Sequence, residues 1–260
     1  MSKSLLHFSH ANGFPAETYA ALLGALGEHF EVHYIAQMGH NAQYPITDGW
    51  AHLVDELVDK LKKIGQPVVG VGHSLGGVLT LFAASLHPEL FSYIVLLDPP
   101  IMNPIKGGFL YCLKKLHLES YVTPVQQSAT RRTHWADREE MRLYLRRRSL
   151  FQNISDEGLE DYIRYGTTQT KEGISLLFQP SIESKIFSTL PHEYVSYQRR
   201  LKVPGTLLYG QDSNVVNWFD RQAIQIYTPL KIQQVPGTHL FPLEYPQETA
   251  QLIKGMITWM

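Results

Sequence analysis

The chain has 260 residues, 44% of them hydrophobic, and a formal net charge of −1 at pH 7. This length and composition favour one large core, and the balanced charge argues against nucleic-acid and membrane-surface partners. The single cysteine, Cys112, excludes an intrachain disulfide and fits a reducing compartment. The apolar stretch at the N-terminus is too short for a signal peptide, and no run approaches the length of a membrane span. We therefore predict a cytoplasmic protein.

Strand and helix patterns alternate in the first hundred residues and again after residue 200. Strands are predicted at 5–8, 31–36, 67–72, 92–100, 204–210 and 231–237, and helices at 18–29, 47–64, 75–86, 216–226 and 246–260. The helix at 47–64 carries a stripe of apolar residues at spacings of three and four. The strands at 67–72 and 92–100 are apolar throughout, which is typical of parallel strands buried on both faces.

Residues 101–200 interrupt this alternation, because they are polar, helical in pattern and lack a clear strand. The sequence therefore predicts an α/β fold with a doubly wound, mostly parallel sheet. The core domain would comprise residues 1–100 and 201–260, with residues 101–200 inserted as a helical segment. Right-handed crossovers would gather the loops that follow the strands on one rim of the sheet.

The stretch VVGVGHSLGGVL at 68–79 admits two interpretations. Gly70, Gly72 and Gly76 could form a dinucleotide-binding turn, although the spacing departs from G-x-G-x-x-G and the strand is not the first. The alternative is a G-x-S-x-G nucleophile elbow, in which a tight turn between strand and helix presents Ser74. Its small residues leave room for the turn, and the helix N-terminus favours developing negative charge. We favour the second interpretation.

A nucleophilic serine needs a general base and an acid that orients the base. Asp212 follows the predicted strand at 204–210, and His239 follows the one at 231–237. Both therefore end strands on the rim where Ser74 is expected. An oxyanion hole would take one donor from the backbone N–H of Leu75 and a second from the loop HANGFP at 10–15.

These segments resemble the α/β-hydrolase fold superfamily, in particular its capped serine hydrolases and esterases. GHSLGG resembles the nucleophile elbow, YGQDS the acid segment and GTHLFPLE the histidine segment. The resemblance implies that residues 101–200 form a helical cap, or lid, inserted after the sixth core strand of the capped members. Matching GFP at 13–15 to the HGxP-type loop makes Phe14 the second oxyanion donor, with Asn12 and Gly13 as alternatives because the loop reads HANG. Some members carry the acid after the sixth strand, which makes Asp98 the alternative to Asp212.

The sequence thus predicts a serine hydrolase that cleaves a small carboxylic ester through an acyl-enzyme, with Ser74, His239 and Asp212 as the triad. A thioesterase or a C–C bond hydrolase would use the same triad. A non-catalytic ligand- or nucleotide-binding protein is the alternative of another class. We expect a small-molecule acyl substrate and no cofactor or metal ion. The arginines of residues 101–200 either bind an anionic substrate tail or form solvated helix faces.

Overall fold

The computed structural model describes residues 3–257. Its strands are β1 (Ser4–Ser9), β2 (Phe30–Tyr34), β3 (Val68–His73), β4 (Phe91–Leu97), β5 (His134–Trp135), β6 (Thr167–Thr170), β7 (Gly173–Leu176), β8 (Gly205–Gly210) and β9 (Lys231–Val235). Its helices are α1 (Ala20–Gly27), α2 (Ala51–Ile64), α3 (Leu75–Leu86), α4 (Pro104–Lys115), α5 (Val125–Ala129), α6 (Arg138–Arg146), α7 (Asp156–Tyr165), α8 (Pro180–Ser188), α9 (Tyr194–Gln198), α10 (Trp218–Tyr227), α11 (Phe241–Glu244) and α12 (Pro246–Ile257). Within residues 3–257, no helix is long and apolar enough to cross a membrane.

The main sheet contains six strands in the order β2-β1-β3-β4-β8-β9, and every pairing between them is parallel. The order runs outward from β1 in one direction and then in the other, as in a doubly wound sheet. All residues of β3 are buried, and only Ser92 of β4 is exposed. Buried apolar residues form one cluster on each side of the sheet. The predicted α/β fold class is therefore confirmed.

The predicted helix at 47–64 begins later than expected. Gly49 and Trp50 both have positive φ, at 77° and 64°, so a short 3₁₀ turn at Asp48–Trp50 is separated from α2. The indole Nε1 of Trp50 donates to the carbonyl oxygen of Ile186 at 3.1 Å. From Leu53 to Leu61 the apolar residues that predicted the helix are buried along α2. Trp50 lies outside α2 and contacts the inserted segment instead.

The inserted segment leaves the sheet after β4, the fourth of its six strands in chain order, and returns at β8. The expectation that this segment lacks strands is wrong, because β5, β7 and β6 form a small antiparallel sheet. Lys171 and Glu172 connect β6 to β7, and Gly173 takes the positive φ of 133° that this reversal requires. Strands of two to four residues are too short to give a recognisable alternation in sequence.

The inserted segment packs directly onto the rest of the chain. Its apolar side chains belong to both clusters that flank the main sheet, for example Tyr162 and Trp135 in one and Ile186 in the other. Phe14, in the loop after β1, has its ring centroid 4.9 Å from that of Tyr162 and 5.8 Å from that of Phe151. The loop at the carboxyl end of β1 therefore packs against the insertion.

Candidate active site

Ser74 stands between the last residue of β3 and the first of α3, without any intervening loop. Its backbone adopts φ 52° and ψ −116°, a conformation that costs an L-residue free energy and is held by its surroundings. Its N–H donates to the carbonyl oxygen of Leu97 on the neighbouring strand at 2.9 Å. This tight turn between strand and helix has the backbone geometry that a nucleophile elbow requires.

The glycines around Ser74 provide clearance for this turn. A Cβ at Gly72 would lie 2.3 Å from the carbonyl oxygen of Gly76, and a Cβ at Gly76 would lie 2.0 Å from that of Ser9. Real Cβ atoms essentially never approach a backbone oxygen so closely. Side chains are therefore excluded at both positions by the turn itself, which accounts for these glycines without a bound phosphate.

His239 lies in the loop after β9 and contacts Ser74 directly. Its Nε2 is 3.0 Å from the Ser74 Oγ, and its Nδ1 is 2.7 Å from the Oδ2 of Asp98. With a proton on Nδ1, the ring donates to the carboxylate and presents an unprotonated Nε2 to the hydroxyl. This is the arrangement in which an imidazole can remove the proton of a serine.

Asp98 directly follows β4, and its side chain is completely buried. Its backbone has a positive φ of 44°, and its N–H donates to the carbonyl oxygen of Leu208 at 2.8 Å. The Ser213 hydroxyl donates to the same Oδ2 that contacts His239. The carboxylate is thus fixed by its own backbone and by two hydrogen bonds.

Asp212 does not contact His239, so the preferred acid of the sequence analysis is wrong and its alternative, Asp98, occupies that position. The side chain of Asp212 is exposed to solvent, while its N–H donates to the carbonyl oxygen of Gly237 at 2.9 Å. The loop after β8 instead provides the hydroxyl of Ser213 to Asp98. β4 and β8 are neighbours in the sheet, so both loops end close to His239 and only one carboxylate reaches it.

His73 adds a contact that the sequence did not predict. Its buried ring lies between the hydroxyl of Tyr19, 2.7 Å from Nδ1, and the carbonyl oxygen of His239, 2.9 Å from Nε2. Burial, together with the nearby His239, lowers the pKa of His73 well below its usual range, so the ring is neutral. Nε2 therefore donates to His239 and Nδ1 accepts from Tyr19. His73, which directly precedes Ser74, thus holds the backbone of His239, the candidate general base.

Glu244 fixes the other side of the histidine loop. Its Oε2 accepts a hydrogen bond from the N–H of Thr238 at 2.9 Å, and its Oε1 accepts one from the Thr238 hydroxyl. Glu244 is the last residue of α11 and is buried. The segment GTHLFPLE therefore contains both His239 and the carboxylate that shapes its loop.

The loop after β1 forms a tight turn beside Ser74. The N–H of Phe14 donates to the carbonyl oxygen of Ala11 at 3.2 Å, and Gly13 takes the positive φ of 79° at the third position of the turn. The expectation that Phe14 supplies a free oxyanion donor is therefore wrong, because its N–H closes the turn. The N–H groups of Asn12 and Gly13 lie outside this closing hydrogen bond. Leu75, as the first residue of α3, has an N–H without an acceptor within the helix.

Metal-binding side chains do not gather anywhere in the described part of the chain: within residues 3–257, no three His, Cys, Asp or Glu residues could hold a metal ion together. The expectation of a reaction without metal ion or cofactor stays a prediction.

Comparison with known proteins agrees with this fold. Residues 5–252 match the model of the Alpha/beta hydrolase family. The chain belongs to this family. The predicted enzyme class, a hydrolase of the α/β-hydrolase superfamily, is thereby supported.

Two groups of fungal relatives match part of this α/β-hydrolase chain. Type I acyl-CoA thioesterase mpaH' of Penicillium brevicompactum is 31% identical over 119 residues, which cover 39% of the chain and 28% of the relative. The abhydrolase domain-containing protein ACTT2-1 of Alternaria alternata is 31% identical over 111 residues, covering 43% of the chain and 37% of the relative. The chain therefore matches less than two fifths of the length of either relative.

Solved structures match the α/β-hydrolase chain over nearly its whole length. E-2-(acetamidomethylene)succinate hydrolase superposes with a TM-score of 0.80 at 20% identity, covering 99% of this chain and 92% of that one. The peroxisomal α/β-hydrolase Lpx1 of Saccharomyces cerevisiae gives a TM-score of 0.78 at 17% identity, covering 98% and 76%. At these identities the likeness shows the fold alone.

Proposed function

We propose that this chain is a serine hydrolase that cleaves a small carboxylic ester through an acyl-enzyme intermediate. The proposal rests on one observation: His239 contacts Ser74 through Nε2 at 3.0 Å and Asp98 through Nδ1 at 2.7 Å. Ser74 is the nucleophile, His239 the general base and acid, and Asp98 the carboxylate that orients the ring. This assignment replaces Asp212 with Asp98 in the triad.

In the first half of the reaction, His239 takes the Ser74 proton on Nε2 as Oγ attacks the carbonyl carbon of the ester. Asp98 stabilises the imidazolium that forms, and the carbonyl oxygen becomes an oxyanion. The tetrahedral intermediate then collapses. The alcohol leaves with the proton from His239, and the acyl group remains on Ser74 as an ester.

In the second half, water attacks the acyl-enzyme while His239 takes one of its protons. The second tetrahedral intermediate releases the carboxylic acid, and the proton on His239 returns to Ser74 Oγ. The backbone N–H groups of Leu75 and Asn12 bind the oxyanion in both halves. Asn12 is assigned in place of Phe14, because its N–H takes no part in the hydrogen bond that closes the turn.

A fluorophosphonate probe tests the proposal, since it reacts with an activated serine regardless of the natural substrate. We expect labelling of the wild-type protein and none of Ser74→Ala. Ser85→Ala is the matched control, because the Ser85 hydroxyl bonds to its own helix at Leu81 and lies three turns from Ser74 along α3. A folded wild-type protein that resists the probe would remove the serine-hydrolase assignment.

Thioester cleavage is a second candidate, favoured by the similarity to the acyl-CoA thioesterase mpaH'. The same triad cleaves both bonds, and the choice depends on the leaving group. Turnover of p-nitrophenyl butyrate and butyryl-CoA at equal acyl length distinguishes them. A kcat/KM higher for the thioester, and lost in Ser74→Ala, would assign the chain to thioesterases.

A further inference from the structure

A buried ion pair in the inserted segment lies directly against the loop after β1. Arg131, which follows α5, donates through Nη1 to the Oε2 of Glu183 in α8 at 2.5 Å. Its Nη2 donates to the hydroxyl of Tyr162 in α7 at 2.8 Å. The side chains of Arg131 and Glu183 are only 19% and 11% exposed. Three separate elements of the insertion therefore meet at one charged, largely desolvated point.

This point contacts the turn that carries the proposed oxyanion donor. The side-chain amide of Asn12 donates to the carbonyl oxygen of Glu183 at 3.0 Å. The Tyr162 hydroxyl donates to the carbonyl oxygen of Gly13 at 3.4 Å. A Cβ placed on Gly13 would lie 3.0 Å from the Glu183 carboxyl carbon and 3.2 Å from the Arg131 Nη1. The ion pair thus packs against the bare Cα of Gly13, while its neighbours hold the turn on both sides.

Arg131 is not available as a receptor for an anionic substrate in this arrangement. Its guanidinium already bonds to Glu183 and Tyr162, and the pair carries no net charge. Removing Glu183 from the pair would leave a buried cation without a counter-ion, which is costly. The geometry therefore favours a fixed support over an anion-binding site.

We propose that Arg131, Glu183 and Tyr162 are positioning residues that hold the turn at Asn12 and Gly13 in the place where its N–H groups stabilise the oxyanion. This inference rests on the proposed function, since it requires an oxyanion at Ser74. The insertion then covers the site and also positions the N–H groups that stabilise the oxyanion. Donor position matters steeply in such sites, because a displacement of about 1 Å can cost about 100-fold in rate.

Arg131→Met tests the inference, and Arg132→Met is its matched control. Arg132 is the next residue, belongs to the same insertion and also pairs with a glutamate, Glu140, but that pair is about two-fifths exposed. For p-nitrophenyl acetate we expect kcat to fall about 10-fold or more in Arg131→Met with KM within about twofold. Arg132→Met should keep both constants within about twofold of wild type.

A trifluoromethyl ketone inhibitor separates positioning from a general structural effect, because its adduct with Ser74 places an oxyanion in the hole. Its affinity should fall in Arg131→Met by the same factor as kcat/KM, while the affinity for the carboxylic acid product stays unchanged. Where Arg131→Met does not fold, Arg131→Lys gives the same comparison, since it keeps the charge but loses the paired donors. Thermal unfolding identifies the folded variants.

Three results would overturn the inference: unchanged kcat in the folded Arg131 variant, equal losses of inhibitor and product affinity, or full activity in a folded Arg131→Met/Glu183→Met double variant. Failure of the proposed function is distinguishable, because the wild-type protein itself would then resist the fluorophosphonate. If the fluorophosphonate labels the wild-type protein and the Arg131 variant keeps the wild-type kcat, only the positioning role is rejected.

Discussion

The backbone N–H of Gly76 donates to the carbonyl oxygen of His10 across 3.1 Å. This bond joins the first turn of α3, which begins directly after Ser74, to the loop that contains Asn12. The two proposed oxyanion donors, the N–H groups of Leu75 and Asn12, therefore belong to segments that are hydrogen-bonded to each other. This main-chain bond fixes the two segments on one side, while the carbonyl oxygen of Glu183 and the hydroxyl of Tyr162 hold the turn at Asn12 and Gly13 on the other.

Gly76→Ala should break this junction. The new Cβ would lie 2.0 Å from the carbonyl oxygen of Ser9, so the loop or the helix must move. We expect a loss of about 3 kcal/mol in the free energy of unfolding and loss of fluorophosphonate labelling. Gly24→Ala is the control, because no atom lies within 4 Å of its Cβ and helix α1 should gain about 0.5–1 kcal/mol. Urea denaturation of both variants measures the difference, and equal stabilities would contradict the steric account.

Asp98→Asn should abolish most of the activity, because an amide cannot stabilise the imidazolium and favours the wrong tautomer of His239. We expect kcat for p-nitrophenyl acetate to fall about 10⁴-fold, as for the equivalent change in a serine protease triad. Asp212→Asn alters an exposed carboxylate without contact to His239 and should keep kcat near the wild-type value. The reverse ranking of the two variants would restore Asp212 as the triad acid.

Asn12→Pro should remove one oxyanion donor while preserving the turn. Residue 12 is the second position of the turn closed by Phe14 and Ala11, a position that proline favours, and proline lacks the N–H. We expect kcat to fall about 10²–10³-fold. Asn12→Ala loses only the side-chain bond to Glu183 and keeps the N–H, so its loss should be much smaller. If both variants lose activity equally, the N–H of Asn12 is not the donor.

Stability should fall in mild acid because of His7. Burial lowers the pKa of His7 from 6.5 to about 3, with smaller effects from Lys60, His33 and His10. Between these values the unfolded chain binds one more proton than the folded chain, so acid favours unfolding. His7 should cost about 1.4 kcal/mol between about pH 7.5 and pH 5.5. His7→Leu should reduce the pH dependence of the unfolding free energy by that amount, and equal pH dependences would contradict it.

The features that could be predicted from sequence are those encoded by neighbouring residues. Helix α3 begins and ends at the predicted residues, since Ser74 and the glycines fix its start and its apolar run continues to Leu86. His239 follows a short strand in a loop whose position on the rim is set by parallel topology. Such signals are local or depend on the fold alone, so one sequence contains them.

The choice between Asp98 and Asp212 depends on contacts that the sequence does not reveal. Both follow strands that are neighbours in the sheet. What separates them is the backbone: Asp98 has a positive φ and a buried carboxylate, whereas the turn at Asp212 directs its carboxylate to solvent. The misassignment of Phe14 has a similar origin, because only the closed turn shows that its N–H is already bonded.

Asp98 lies at the junction between the sheet and the insertion, and its contacts hold it to the sheet. Its N–H bonds to β8, and the next residue, Pro99, packs against α3, where a Cβ at Gly77 would lie 3.0 Å from the Pro99 Cβ. The inserted residues 101–200 therefore begin beyond the triad acid, whose position is set by β8 and α3. Exchanging residues 101–200 for another segment would change the surface that covers Ser74 and leave Asp98 in place. The new segment would also have to provide a hydrogen-bond acceptor for the side chain of Asn12. Substrate choice can then diversify through one continuous stretch of chain while the chemistry is inherited unchanged.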